Sequence, residues 1–385
     1  MDHSTILMQL GFLQTLNPFK LREVLKSKFP KSTNSELSAL SESIFLSKRL
    51  KEKAFPFSFW NLSTHVFEQA TDFRVAEFHS DLLKPYGTHI LDGCGGAGFD
   101  SLAFINSGFN VTTTEVDHTH CSNLEKNLAI YNLGKWKVIG SSFLNLNPND
   151  FSVIYLDPMR RKGTGRFVEL EDYQPSFSEI LNWLPSHLPA LIKVSPLLNI
   201  TEKLKDDFKL IFVGLDRECK EVLLARNFKN LGSENLFISE MGKIINLEPQ
   251  STNPEPLISD LEQMDYIYEP HAALLKSNRQ TEMAASLNLR KPASDCGYFF
   301  GNNISVEHLY ERYHLIDKQY FKLSSISDYL RNNLQYNFIF KKKNSNVDLE
   351  IYSKKYKWKK GQKGRIIFIS EVNGKAVFWV GQEIE

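Results

Sequence analysis

The middle of the chain alternates short apolar runs with segments of helical periodicity. Apolar runs that suit strands end at Asp92, Thr114, Ile139, Leu156 and Val194, and polar, helix-compatible stretches separate them. Strands that alternate with helices are typical of βαβ units, in which the strands are parallel and helices cover both faces of the sheet. The pattern therefore predicts an α/β fold with a doubly wound parallel sheet.

The region before this alternation has a different pattern. Over residues 1–65, apolar positions recur at helical spacing, and a further helix is predicted over Val66–Leu83, directly before the first strand. We therefore expect a helical N-terminal region at 1–65, followed by the α/β domain at 66–248.

The C-terminal region is divided by a proline-rich stretch from Glu248 to Pro256, which is typical of a linker. Residues 257–320 then suit a small α/β module of the ferredoxin-like type. Residues 321–385 end in two apolar strands joined by Asn373-Gly374, a dipeptide that favours a tight hairpin turn. We expect this last segment to be a small folded module.

A glycine-rich turn follows the first predicted strand. Gly93, Gly95 and Gly98 match the Gly-x-Gly-x-x-Gly pattern, whose glycines let the backbone turn tightly and approach a nucleotide cofactor. Asp92 precedes the first of these glycines and Asp100 follows the last. Carboxylates repel a pyrophosphate and attract a cation, so the turn favours S-adenosylmethionine (SAM), with its sulfonium and ammonium, over NAD. An NAD oxidoreductase stays an alternative, which requires both carboxylates to face away from the phosphates.

Two further positions suit the same cofactor. Glu115 ends the second strand, where a carboxylate can accept hydrogen bonds from both ribose hydroxyls; an ordinary surface glutamate is the alternative. Asp117 is better interpreted as the N-cap of the next helix. Ser141, Ser142 and Phe143 follow the third strand, where an adenine contact is expected.

The fourth strand stops abruptly at Asp157-Pro158, because proline cannot donate to the ladder. The glycine turn, Glu115 and Asp157-Pro158 together resemble class I SAM-dependent methyltransferases, roughly over Val66–Arg226. The resemblance implies a Rossmann-like, seven-stranded methyltransferase sheet. Residues 126–132 are most similar to RNA guanine-N2 methyltransferases, and the whole layout is similar to bacterial methyltransferases with a C-terminal THUMP-like domain.

In the amino-methylating members of that superfamily, Asp or Asn is followed by two prolines and an aromatic residue. The resemblance implies that the Asp157 carboxylate and the Pro158 carbonyl accept the protons of an exocyclic amine and aim its lone pair at the methyl group. Met159 and Arg160 replace the second proline and the aromatic residue. Arg160 is expected to stack on a base or bind a phosphate, with a solvated loop arginine as the alternative.

The resemblance also implies which residues hold the cofactor. Most members have an acid after the third strand that binds the adenine amino group; Ser141 and Ser142 stand there instead, which leaves a backbone amide and Phe143 for that contact. C5-methyluridine enzymes share the Asp-Pro-x-Arg pattern but need a cysteine after the fifth strand, where this chain has Ser195. The expected SAM-binding residues are Asp92, Gly93, Cys94, Gly95, Gly98, Asp100, Glu115, Val116, Ser142 and Phe143.

Charge is concentrated near the C-terminus. The chain of 385 residues has a net charge of +1, but positions 341–365 contain ten Lys or Arg against two acidic residues, a local +8 that leaves −7 for the rest. Cations alternate there with aromatic residues, which suits an RNA-binding surface; a solvated, lysine-rich sheet face is the alternative. The expected RNA-binding residues are Lys354, Lys355, Tyr356, Trp358 and Lys359.

The remaining composition restricts the class of protein. Four cysteines without metal-ligand spacing predict no metal site and a reducing compartment, and no leader or long apolar run is visible, so we expect a soluble, cytoplasmic protein. The sequence thus predicts a SAM-dependent methyltransferase acting on an exocyclic amine of an RNA base, in rRNA or tRNA. Two alternatives stay open, namely a non-catalytic RNA-binding protein with this fold and a methyltransferase acting on a protein or small molecule.

Overall fold

The chain forms two compact units in a computed structural model, which describes residues 3–160, 169–238, 242–247, 261–305, 309–356 and 363–384. Unit 1 contains residues 1–213 and 221–233, and unit 2 contains residues 214–220 and 234–385. Within the described residues, no helix is long and apolar enough to cross a membrane.

Unit 1 begins with helices and continues as alternating strands and helices. The last two strands contribute their connecting turn to unit 2. The elements in chain order are α1 (His3–Thr15), α2 (Pro18–Lys28), α3 (Asn34–Leu46), α4 (Thr64–Gln69), α5 (Phe73–Leu83), β1 (His89–Asp92), α6 (Phe99–Asn106), β2 (Asn110–Thr114), α7 (His118–Ile130), β3 (Lys135–Ile139), β4 (Val153–Leu156), β5 (Met159–Arg160), β6 (Tyr173–Gln174), α8 (Phe177–Trp183), β7 (Ala190–Val194), α9 (Glu202–Asp207), β8 (Lys209–Leu215) and β9 (Glu218–Arg226).

The sheet of unit 1 has the strand order β8-β9-β7-β4-β1-β2-β3. Strand β1 is parallel to β2 and β4, β2 to β3, and β4 to β7, whereas β9 is antiparallel to β7. The α/β fold with a parallel sheet is therefore confirmed. Because the carboxyl ends of parallel strands meet at one edge, the loops that follow β1, β2, β4 and β7 meet there.

The N-terminal helices have their own apolar core, and the structure corrects one predicted helix. Leu13, Leu21, Leu37 and Ile44 are among the buried residues that pack α1, α2 and α3 together. The single helix expected over Val66–Leu83 is two helices, because α4 ends at Gln69 and Asp72 caps a new helix. The short link between them brings the Thr71 side chain into the candidate site described below.

Unit 2 is built mainly on antiparallel strands. Its elements are β10 (Glu234–Ile238), β11 (Lys243–Asn246), β12 (Tyr266–Pro270), α10 (Ala272–Ser277), α11 (Gln280–Ser286), β13 (Phe299–Gly301), β14 (Tyr310–Leu315), β15 (Phe321–Lys322), α12 (Ile326–Asn332), β16 (Asn337–Lys342), α13 (Glu350–Lys355), β17 (Gly364–Val372) and β18 (Lys375–Glu383).

The main sheet of unit 2 has the order β13-β12-β14-β18-β17-β16, and β15 pairs with β18. Strands β17 and β18 form the hairpin that Asn373-Gly374 predicts, with Val372 opposite Lys375, so this expectation is confirmed. Strand β16 runs parallel to β17. The proline-rich stretch between Glu248 and Pro256 lies outside the described residues.

Candidate active site

The turn between β1 and α6 is attached to the neighbouring strands by backbone hydrogen bonds. The Gly93 amide donates to the Tyr155 carbonyl (2.9 Å), and the Gly95 amide donates to the Thr114 carbonyl (2.8 Å). Gly96 and Gly98 have φ angles of +48° and +81°, a region that favours glycine. A Cβ at Gly96 would lie 3.9 Å from the Cys94 carbonyl oxygen, its nearest described neighbour. The turn therefore has an open face at Gly96.

The two carboxylates that flank the turn lie in the interior. Asp92 is 1% exposed and accepts a hydrogen bond from the Ser101 hydroxyl at Oδ2, while its buried Oδ1 has no partner among the described residues. Burial raises the pKa of Asp92 to about 7. Asp100 accepts a hydrogen bond from the Thr71 hydroxyl (2.7 Å) and lies 2.8 Å from Nδ1 of His79. Asp100 is thus engaged by protein groups.

Glu115 follows β2 and connects two turns. One carboxylate oxygen accepts the Gly96 amide (3.0 Å) and the other accepts the Asp117 amide (2.8 Å). Each oxygen retains a second lone pair, so the carboxylate can still accept hydrogen bonds from a ligand. The prediction that Asp117 caps α7 is confirmed by its bonds to the Thr119 and His120 amides. Val116 is 64% exposed beside these residues.

The residues after β3 are less accessible than the sequence suggests. Phe143 is 1% exposed, and its ring packs edge-on against Trp183. The Ser142 hydroxyl accepts the Leu144 amide (3.3 Å) and so caps a short helical turn. Cys94 lies in the glycine turn after β1. Burial raises the pKa of its thiol well above the ordinary value, which keeps the thiol protonated. The structure therefore places Phe143 under the site, where it supports the turn.

Asp157 and Pro158 follow β4 at the same sheet edge as the glycine turn. The Asp157 side chain is 33% exposed, and its Oδ2 accepts a hydrogen bond from Nζ of Lys193 (2.7 Å). Burial raises the pKa of Asp157 above its ordinary value, and the Lys193 ammonium opposes this rise. Met159 and Arg160 form β5, which pairs with β6, and both side chains are exposed.

Five side chains close a ring of polar contacts beneath Asp157. Lys193 donates to Thr71 (3.0 Å), Thr71 donates to Asp100, Asp100 contacts His79, and Nε2 of His79 lies 2.5 Å from Glu221. The second oxygen of Glu221 lies 3.8 Å from the Lys193 ammonium, which completes the ring. We call these residues the ionic ring.

The ionic ring is charged although it is buried. His79 is 0% exposed, and burial opposes its charged form, but Glu221 and Asp100 raise the pKa of His79 to about 9. Burial likewise opposes ionisation of Asp100, but the hydrogen bond and charge of His79 keep its pKa below the ordinary value. Two cations, Lys193 and His79, therefore face two carboxylates, Asp100 and Glu221.

Of the five residues in this ring, the sequence pattern indicates only Asp100. The available signal was Lys193 itself, the one charged residue in the predicted strand Ala190–Val194. Trp60 is a further residue that the sequence pattern does not indicate; its indole donates to the Ala97 carbonyl (2.6 Å) and attaches the N-terminal region to the glycine turn. Nothing in the local pattern around His79 or Glu221 indicates that they converge.

The basic segment of unit 2 includes α13. The Lys354 ammonium lies 2.6 Å from Glu350, and both side chains are largely exposed, at 76% and 72%. The Tyr356 ring packs edge-on against Phe338, and its hydroxyl is buried without a partner among the described residues. Tyr356 thus faces the apolar core of unit 2, whereas Lys354 and Lys355 are exposed. Trp358 and Lys359 lie outside the described residues.

Two observations bear on a cofactor. Among the described residues, no group of three or more His, Cys, Asp or Glu side chains suits a metal ion. The orphaned Oδ1 of Asp92 and the open face at Gly96 fit a cationic ligand of SAM's type at the turn.

The strand order and the glycine turn define a Rossmann-like α/β protein with the methyltransferase fold. Over its full length the chain is similar to a crystal structure of a putative methyltransferase from Porphyromonas gingivalis W83, with 18% identity, a TM-score of 0.76 and 100% of each chain covered. At this identity, the likeness is evidence for the fold.

Other solved structures match a part of the chain. The T. thermophilus 16S rRNA N2 G1207 methyltransferase RsmC, in complex with AdoMet and guanosine, is 18% identical, with 41% of this chain and 44% of that chain covered and a TM-score of 0.31. An rRNA methylase from Streptococcus thermophilus is 11% identical, with coverage of 40% and 96% and a TM-score of 0.29. No protein-family model and no curated protein matches the chain.

Proposed function

We propose that the protein is a SAM-dependent methyltransferase that methylates an exocyclic amine of an RNA base, of the guanine-N2 type. One observation carries this proposal: the partly exposed Asp157 carboxylate ends the strand next to the strand that carries the glycine turn. This arrangement supports a cofactor and a hydrogen-bond acceptor at one sheet edge, where doubly wound folds bind ligands.

The residues around the turn fit the cofactor by charge and shape. The open face at Gly96 would receive the methionine end, the carboxylate of Glu115 would accept the ribose hydroxyls, and exposed Val116 would pack against the adenine. Asp92 is buried beneath the turn, where its carboxylate would favour a cationic group at the open face. When bound, SAM supplies a methyl group already activated by its sulfonium.

Asp157 and the Pro158 carbonyl would bind the two protons of the acceptor amine and orient its lone pair. In the transfer, the nitrogen lone pair forms the new N–C bond, and the electrons of the S–C bond return to sulfur. Positive charge therefore moves to the nitrogen, next to the Asp157 carboxylate, before one proton leaves. Burial raises the pKa of this carboxylate, so it is suited to accept that proton.

The basic segment supports RNA as the substrate. Exposed Lys354 and Lys355 suit contacts with phosphates, and the exposed position of Arg160 suits a phosphate or base next to Asp157. We propose that residues 321–385 act as a THUMP-like RNA-binding module. Since Tyr356 packs inward, we expect this module to bind through charge more than through base stacking.

The test measures transfer of tritium-labelled methyl groups from SAM to total RNA of cells that lack this gene. We expect wild-type protein to label RNA and Asp157→Ala to lower the rate about 10²- to 10³-fold, because the variant loses the side-chain acceptor that orients the amine in the transition state. SAM affinity, measured by calorimetry, is expected to be retained. Asp150→Ala, at an exposed carboxylate before β4, is the matched control.

Each alternative predicts a different result. Labelling of protein or small-molecule fractions in place of RNA would indicate a methyltransferase with another substrate. SAM binding without transfer to any fraction would indicate a non-catalytic protein. Equal RNA labelling by wild type and Asp157→Ala would contradict the role of Asp157.

A further inference from the structure

We infer that Lys193 is a positioning residue for methyl transfer, which fixes the Asp157 carboxylate so that one of its oxygens faces the acceptor. This inference rests on the proposed function. Lys193 lies on β7, the strand adjacent to β4, and it is not among the site residues expected from the sequence.

The position of Lys193 gives it direct access to Asp157. Strand β7 is parallel to β4 and pairs with it directly, and Lys193 lies one position after Ile192, the partner of Leu156. Its side chain is 16% exposed, and its ammonium contacts Asp157 Oδ2 at 2.7 Å, the Thr71 hydroxyl at 3.0 Å and Glu221 at 3.8 Å. Three contacts from three different elements restrict the ammonium to one place.

The ionic ring explains why Lys193 stays in that place. Thr71 donates its own proton to Asp100, so its oxygen remains an acceptor for Lys193. His79 bridges Asp100 and Glu221, and this fixes the other contact of the ammonium. Movement of Lys193 away from Asp157 would leave buried carboxylates without a cation, at a high cost in free energy.

The charges of these groups leave Asp157 as the surplus carboxylate. The two cations of the ring, Lys193 and His79, match its two carboxylates, so the Asp157 charge is additional. The charged groups whose fields act on Asp157 are Lys193 on β7, Asp100 on α6, Glu221 on β9 and Asp92 at the end of β1. Of these, Lys193 favours the ionised carboxylate, and the three acids oppose it.

The contact with Lys193 also determines which oxygen is available. Oδ2 is held by the ammonium, whereas no described residue hydrogen-bonds Oδ1 of the partly exposed side chain. Oδ1 is therefore available to accept a proton of the acceptor amine. A freely rotating carboxylate would lose part of the orientation on which the proposed transfer depends.

The test compares the pH dependence of RNA methylation for wild type, Lys193→Met and Lys209→Met. Without the ammonium, Asp157 ionises at higher pH, so we expect the acid limb of the Lys193→Met profile to move up by about 1 to 3 pH units. Transfer is then low near neutral pH and recovers only in part as the pH rises, because the ionised carboxylate still lacks the contact that orients it. The control is Lys209, the first residue of β8, whose ammonium donates to the Leu231 carbonyl. Lys209→Met should keep the wild-type pH profile.

Further readouts separate positioning from general damage. Loss of a cation makes the site more negative, so SAM, with its net positive charge, is expected to bind Lys193→Met at least as tightly as wild type. Lys193→Arg keeps the charge and is expected to keep the wild-type acid limb, and it carries the test if Lys193→Met does not fold.

The possible outcomes are distinguishable. An active Lys193→Met with an unchanged acid limb, or a loss by the same factor at every pH, would overturn the inference. An acid limb that moves for Lys193→Arg as well would overturn it too. If wild type itself transfers no methyl group to RNA, the proposed function fails, and the inference fails with it.

Discussion

The ionic ring of unit 1 and helix α13 of unit 2 both contain lysine–carboxylate pairs, but their surroundings differ. The ring draws its side chains from positions spread between Thr71 and Glu221, and its central imidazole is 0% exposed. The pair on α13 joins Glu350 to Lys354 four residues later on one helix, with both side chains more than two-thirds exposed. The charges of the ring are enclosed by protein, whereas those of α13 are exposed to solvent.

This difference assigns different roles to the two sets. An exposed pair four residues apart contributes about 0.3 to 0.5 kcal/mol, so Lys354 can exchange Glu350 for a phosphate at little cost. A buried pair that loses one partner costs several kcal/mol, so the ring holds its members in place. We conclude that the ring suits positioning and α13 suits attraction of a charged partner.

The largest effect is expected for His79→Phe, which removes the cation between Asp100 and Glu221. Two buried carboxylates then lack their partner, and we expect the free energy of unfolding to fall by about 3 to 5 kcal/mol. Urea denaturation followed by circular dichroism measures this loss. Hydrogen exchange should become faster in β7 and β9 and stay unchanged in β17 and β18.

A control is His187→Phe, at an exposed histidine before β7. Its effect should stay within about 0.5 kcal/mol. A loss below about 1 kcal/mol for His79→Phe would show that the ring is no more cohesive than the surface pair.

A second effect is the pH dependence of stability. The folded pKa of His79 is about 9, above the ordinary value of 6.5, so its contribution is fully present below pH 6.5 and is lost as the pH rises through about 9. This shift corresponds to roughly 3 kcal/mol. Urea denaturation of wild type and His79→Phe between pH 6 and pH 10 should show the two curves converging as the pH rises.

The subtraction of the two curves removes the contributions of groups that do not contact His79. The raised pKa of Asp92, about 7 in place of 3.8, also lowers the free energy of unfolding as the pH rises to about 7, but it does so in both proteins. Parallel curves across the range would mean that His79 is uncharged in the folded state.

These two regions also show how much the sequence can predict. Hydrophobic periodicity and turn residues predict the parallel sheet and the hairpin of β17 and β18, because both depend on local preferences that one strand or one turn expresses by itself. The clustering of lysines around α13 is equally visible, since those residues are neighbours in the chain. The sequence does not show which way each side chain of this segment points. Tyr356, at the end of α13, faces inward because it packs against Phe338 on β16.

The ionic ring, by contrast, depends on side chains that become neighbours through the tertiary fold. Asp100 attracts attention because it follows the glycine turn, but its partner His79 is 21 residues earlier and Glu221 is 142 residues beyond that histidine. Periodicity indicates which face of a helix is buried, and it does not indicate which charges meet there. The break between α4 and α5, which delivers Thr71, differs in that it has a local cause, the N-cap residue Asp72, which helical periodicity does not register.

A smaller effect is expected when the charge of α13 is removed. Lys354→Gln combined with Lys355→Gln should change the free energy of unfolding by no more than about 0.5 kcal/mol, since both side chains are exposed. If the lysines bind phosphates, the slope of log affinity for RNA against log salt concentration should fall by about 2. Filter binding at several salt concentrations measures it, and Lys20→Gln combined with Lys26→Gln on α2 is the control. An unchanged slope would assign these lysines to solvation of the surface.

The smallest effect has opposite signs in two measurements. Glu350→Gln removes the exposed partner of Lys354, so we expect the free energy of unfolding to fall by about 0.3 to 0.5 kcal/mol. The same change frees Lys354 and removes a negative charge from the basic segment, so RNA affinity should rise and its salt dependence should become steeper. Weaker RNA binding by Glu350→Gln would mean that the pair on α13 holds Lys354 in a required position. In that case α13 would resemble the ionic ring in function, although its charges lie in water.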